Sequence, residues 1–75
     1  MYTSMCDVKQ GQQCVIREYR CEPRFMSRLL SQGLTPGTKV SIKQSGRGTP
    51  MLIQAREATL AMNYEEAGDI KVEVL

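Results

Sequence analysis

The side chains best suited to chemistry here are three cysteines and a few carboxylates, and the chain has no histidine. Cys6, Cys14 and Cys21 lie eight and seven residues apart, without the close thiol pairs that tetrahedral zinc sites use. An odd number of thiols at this spacing is not a disulfide framework. Cys14 is expected to be a small core residue and Cys6 and Cys21 incidental thiols. A soft-metal site would need all three to converge from separate segments, and without imidazole a mixed nitrogen and sulfur site is excluded. With histidine lacking altogether, no serine or cysteine has an evident base beside it in sequence. The adjacent Glu65 and Glu66 suit the first turn of a helix better than a general acid and base. Gly46-Arg47-Gly48-Thr49 has the glycines of a phosphate loop but neither the following lysine nor a helix signal, so it is expected to be a turn. The residues therefore predict no catalysis, no cofactor and no metal site.

The elements holding these residues must fit in a short chain. Its 75 residues make one domain, 1–75, that buries about 60% of the surface its unfolded chain exposes. No more than three apolar residues occur in succession, far short of a membrane-spanning helix. Polar residues from Asp7 to Gln13 interrupt the place where a secretory leader carries its apolar segment, so a cytoplasmic location is expected. Charge is uneven: residues 1–56 hold nine basic and three acidic side chains, residues 57–75 one basic and five acidic. Such polarity either steers a partner or marks solvated surface whose two halves face each other across adjacent strands. The basic residues are scattered, Trp is absent and Phe25 is the only Phe, which argues against nucleic-acid binding.

Periodicity then places the elements. Residues 1–12 read as a polar lead-in anchored by Met5 and Val8. Gln13 to Tyr19 reads as a strand with Cys14 and Ile16 on its buried face. Glu22-Pro23 opens a helix predicted to reach Gln32: proline is pre-organised for the first helical position. Phe25 with Leu29, and Met26 with Leu30, lie four apart and form an apolar stripe, and Gly33 supplies the left-handed stop. Thr35-Pro36-Gly37-Thr38 has turn chemistry, and Val40 and Ile42 alternate with polar residues in a strand after it. Beyond a loop from Gln44 to Pro50, three sets repeat the two-residue rhythm: Met51, Ile53, Ala55; Leu60, Met62; and Ile70, Val72, Val74, all expected inward. Glu57-Ala58 is expected to connect the first two sets. Asn63 and Glu66 have capping-box spacing, which predicts a helical turn over Tyr64 to Ala67. Five short strands with a helix after the first and a helical turn before the last predict a mainly β domain, economically a partly closed barrel with the helix plugging one opening.

The segment Arg28-Leu29-Leu30-Ser31-Gln32-Gly33-Leu34-Thr35-Pro36-Gly37-Thr38-Lys39-Val40 resembles the signature R-L-x-x-L-G-L-x-P-G-x-x-V of the ferrous iron transport protein A family. Gly48, Pro50, Met51 and Ile53 resemble that family's G-x-P-I-x-I loop and strand, Leu60-Ala61-Met62 its L-A-L strand, and Glu66-Ala67 with Ile70 and Val72 its ending. Gly11, Cys14 and Ile16 fit its opening. Gln32 and Asn63 depart from it, standing where leucine or methionine and arginine are common. The resemblance implies an SH3-like small barrel and a cytosolic accessory to the ferrous iron membrane transporter, whose cytoplasmic part is a GTPase domain.

The residues themselves support a docking role, since an apolar-striped helix on so small a domain offers a surface for a partner groove. Met26, Leu29, Leu30 and Leu34 are the candidate partner-binding residues; core packing is the favoured alternative for Leu29 and Leu34, and Met26 and Leu30 are the ones expected to be shared with a partner. Two other readings stand beside this one. Iron-dependent repressors carry a similar SH3-like domain, so a metal-sensing regulatory module is the alternative, and it would need the cysteines with Asp or Glu to bind a transition metal. An SH3-like nucleic-acid binder is the weakest.

Overall fold

The computed structural model describes residues 2–75. The chain forms six strands, β1 (Thr3–Ser4), β2 (Gln13–Tyr19), β3 (Lys39–Gln44), β4 (Met51–Ala55), β5 (Ala58–Met62) and β6 (Ile70–Val74), the last five on alternating apolar residues. They form one antiparallel sheet in the order β1-β6-β2-β3-β4-β5. Two helices interrupt the strands, α1 (Pro23–Ser31) and α2 (Tyr64–Gly68), and a 3-10 turn spans Met5–Asp7. This turn packs against α2. Six strands replace the expected five, because Thr3 and Ser4 pair with Val72 and Lys71 rather than forming an unstructured lead-in.

Curvature comes from two bulges. Ile16 faces Val72 and Glu18 faces Lys71, which leaves Arg17 as the extra residue on β2; Ile42 faces Ile53 and Gln44 faces Leu52, which leaves Lys43 extra on β3. An extra residue bends and twists its strand. Each bulge immediately follows a fully buried isoleucine, so the sheet curls around Ile16 and Ile42. The core they share contains Met5, Val8, Cys14, Leu29, Leu34, Val40, Met51, Ile53, Met62, Ala67, Ile70 and Val72. Met5 and Val8 therefore do anchor the amino-terminal segment.

Turn chemistry fixes the connections. Gly37, at φ +95°, completes the Thr35–Thr38 turn, where the Thr38 amide donates to the Thr35 carbonyl at 3.0 Å. The tight connection after β4 is Arg56-Glu57 rather than Glu57-Ala58, and Ala58 already pairs with Ala55. Leu60 is only partly buried, and Val74 is 39% exposed at the end of its strand; neither is turned inward as fully as the alternation suggests. Before α2 the expected capping box is present. The Glu66 amide donates to Asn63 Oδ1 at 2.8 Å, and the Asn63 amide donates to Glu66 Oε1 at 3.1 Å.

Candidate functional site

The carboxyl end of α1 separates the four predicted partner-binding residues. The Gly33 amide donates to the Leu30 carbonyl at 3.0 Å and the Leu34 amide to the Leu29 carbonyl at 3.0 Å, with Gly33 at φ +86°. This is a Schellman termination, in which the residue after the glycine packs on the residue five positions before it. Here those residues are Leu34 and Leu29, at 0% and 1% exposure. As surface contacts they are corrected to core: they fix the pose of α1 and are inaccessible to a partner. Helix geometry accounts for the split, because each residue advances a little over a quarter turn, so the face holding Leu29 cannot also hold Leu30. Leu30 is 40% exposed and Met26, one turn earlier, is half-buried.

Polar groups frame these two. Arg24, Ser27 and Ser31 are exposed. The Arg28 guanidinium lies over the Phe25 ring at 4.9 Å and pairs with Glu66 Oε2 at 3.2 Å, tying α1 to α2. Arg17 Nε meets Glu73 Oε1 at 2.9 Å. Both ion pairs join the basic and acidic segments of the chain, as expected if the uneven charge is solvated surface meeting across neighbouring elements. Pairs this exposed each contribute about 0–1 kcal/mol. Tyr19 anchors the segment just beyond α1, its hydroxyl donating to the Leu34 carbonyl. Burial, and then the neighbouring Cys21, push the Tyr19 hydroxyl up to about 12.

The cysteines take separate positions. Cys14 is fully buried on β2, and burial pushes its thiol up to about 11. Cys6, beside Asp7 with Sγ 3.8 Å from Oδ1, is raised by burial and then by that carboxylate. Cys21 is raised by burial and then by Asp69. Every shift favours the protonated thiol, the poor nucleophile and poor ligand of the two forms. Among the described residues no three Cys, Asp or Glu side chains gather where a metal ion would fit.

One feature had no sequence signal. Arg47, Gly48, Thr49, Pro50, Asn63, Tyr64 and Glu65 line a cleft of about 320 Å³, where the Arg47 guanidinium lies 5.8 Å from the Tyr64 ring centre. The Gly46–Thr49 segment is a turn, with the Thr49 hydroxyl donating to the Gly46 carbonyl at 3.0 Å.

Several solved structures share this architecture. A crystal structure of an iron uptake regulatory protein (FeoA) superimposes with a TM-score of 0.91 at 23% identity, each chain covered over 100% of its length. The FeoA protein from Chlorobium tepidum gives 0.90 at 26% identity, covering 97% of this chain and 70% of that one. A manganese-dependent transcriptional repressor gives 0.88 at 13% identity, covering 99% of this chain but 42% of the repressor. At that identity the repressor shows the fold alone, and it is the SH3-like fold. No curated protein matches the sequence. The FeoA domain family matches residues 3–74, the full span of the sheet and almost the whole chain, and the chain therefore belongs to the FeoA domain family.

Proposed function

We propose that this protein is a cytoplasmic accessory of ferrous iron transport that acts by contact rather than catalysis. It docks on the cytoplasmic GTPase region of the membrane transporter and modulates that transporter's assembly or activity. Family membership supports the transport role. The single observation supporting the docking surface is Leu30, a large apolar side chain left 40% exposed on a helix whose opposite face is sealed into the core. Met26 extends the surface by one turn, and Leu29 with Leu34 hold it in place. Among the described residues no helix is long and apolar enough to cross a membrane.

Leu30→Glu places a charge on this face without touching the core. It is expected to leave the far-UV circular dichroism and Tm of the domain unchanged and to abolish binding to the isolated GTPase region in titration calorimetry. Undiminished binding by the folded variant would remove α1 from the interface.

A metal-sensing module is the second reading, favoured by the likeness to the manganese-dependent repressor. It requires ligands that converge, and the three thiols lie apart. Anaerobic titration with ferrous and zinc ions distinguishes the two readings, since a sensor binds at micromolar or lower concentration and loses that binding when its cysteines are replaced.

A further inference from the structure

The sheet has two edges, β1 and β5, and they differ in kind. β1 is two residues long, too short to template much pairing. β5 reads Ala-Thr-Leu-Ala-Met and pairs with β4 through five consecutive partners without a bulge. It carries no charged residue and no proline, the usual protections of an exposed edge. Neither helix lies along it. The Arg56-Glu57 loop makes Ala55 and Ala58 the closing hydrogen-bonded pair, so by alternation Thr59 and Ala61 direct their amides and carbonyls away from β4. Among the described residues these groups find no backbone partner.

The turn is unusual as well. Arg56 sits at φ +59°, the one non-glycine residue with positive φ among those described, at a place in a two-residue hairpin loop that favours glycine. The strained position holds a cation at the tip of the β4–β5 hairpin.

We infer that β5 is a self-association edge: two copies pair β5 to β5 antiparallel about Leu60, joining their sheets across a two-fold axis. In this register Thr59 of each copy faces Ala61 of the other, and the outward amides and carbonyls of these residues satisfy one another. Ala58 faces Met62, Glu57 faces Asn63, and no like charges face each other along the paired strands. The Arg56 tip of one copy reaches the start of α2 in the other, opposite Tyr64 and next to Glu65, in a cleft that Arg47 also lines, so its pairing with the Glu65 carboxylate forms beside a second guanidinium. Moving the axis to Ala61 would set Glu57 against Glu65, and moving it to Thr59 would shorten the overlap. Charge and length therefore select Leu60. The inference does not depend on the docking of α1.

Sedimentation equilibrium of the intact chain, from about 10 µM to about 1 mM, tests it together with amide hydrogen exchange. A monomer–dimer equilibrium is expected, with the Thr59 and Ala61 amides slowing in exchange as concentration rises. Thr59→Pro removes an outward amide and spares the β4 ladder, so it is expected to keep the native circular dichroism and remain monomeric throughout. Arg56→Glu leaves the strand untouched and is expected to weaken association about tenfold. A wild-type chain that stays monomeric at about 1 mM overturns the inference, as does a dimer whose Thr59 and Ala61 amides exchange as fast as in dilute solution. Protection of those amides only on adding the transporter's GTPase region would also overturn it, assigning the edge to that partner.

Discussion

Replacing glycine by alanine is expected to have opposite effects at the ends of the two helices. At Gly33, φ is +86° and an added Cβ would meet nothing within 4 Å, so the penalty is purely one of backbone conformation. An L-residue held left-handed costs about 1–2 kcal/mol. The reduced freedom of the unfolded chain offsets about 0.4–1 kcal/mol of that, leaving a net loss near 1 kcal/mol. At Gly68, the last residue of α2, φ is not in the left-handed range, and the added Cβ would lie 3.6 Å from Cys6 Sγ, an ordinary contact. Helical alanine is there worth up to about 0.5–1 kcal/mol over glycine. For a domain of this size 1 kcal/mol corresponds to about 4–8 °C in Tm. Gly33→Ala should thus lower Tm by about that amount, Gly68→Ala should raise it by a few degrees, and the double variant should fall close to their sum. Thermal unfolding followed by circular dichroism measures all three. A Gly33→Ala protein as stable as wild type would show that α1 does not end in the left-handed termination. A Gly68→Ala loss of more than about 1 kcal/mol would show that the contact between the 3-10 turn and α2 has no room for a methyl group.

Asn63→Ala removes the acceptor for the Glu66 amide and is expected to cost about 1 kcal/mol in urea unfolding, with Asn63→Asp retaining most of the stability. Alkaline pH should destabilise the fold in a defined window. The folded state holds the Cys14 proton up to about 11 against 9.0 for an unperturbed thiol, so the unfolded chain releases that proton first. Stability is then whole below pH 9 and falls by about 2–3 kcal/mol as pH climbs to 11. Tyr19, raised from 10.0 to about 12, adds a loss of the same sign above pH 10. Urea midpoints at about pH 8 and pH 10.5 read the effect, and Cys14→Ala should reduce it to the smaller loss that Tyr19 contributes.

Much of this fold is visible in local chemistry. Proline at the start of α1, glycine after its end and the Asn63–Glu66 spacing each act within a few residues, and those elements lie where the sequence places them: α1 covers Pro23–Ser31 against an expected Pro23 to Gln32. The features that stayed hidden depend on distant partners. Thr3 and Ser4 become a strand only because Val72 and Lys71 offer an edge, and nothing in their own side chains announces it. The bulges at Arg17 and Lys43 are mismatches between two strands, which one strand's alternation cannot register. The same limit governed the docking residues. A four-residue spacing groups Leu29 with Leu30 on a broad apolar stripe, but only the sheet beneath α1 decides which of them is sealed. The Arg47–Tyr64 cleft joins a loop and a helix far apart in sequence, so no motif could have marked it.

The place of β6 in the sheet governs how the domain assembles. It follows every other strand along the chain, yet it is an interior member, seated between β1 and β2. Until Ile70–Val74 is available, β1 has nothing to pair with and β2 has one side bare, so the amino-terminal segment cannot settle on the growing sheet. Contacts spanning nearly the whole sequence must form together, which makes folding slow for so short a chain and nearly all-or-none. A version cut before Ile70 would lose the place of β1 together with β6 and leave β2 as a bare edge of the four strands that remain.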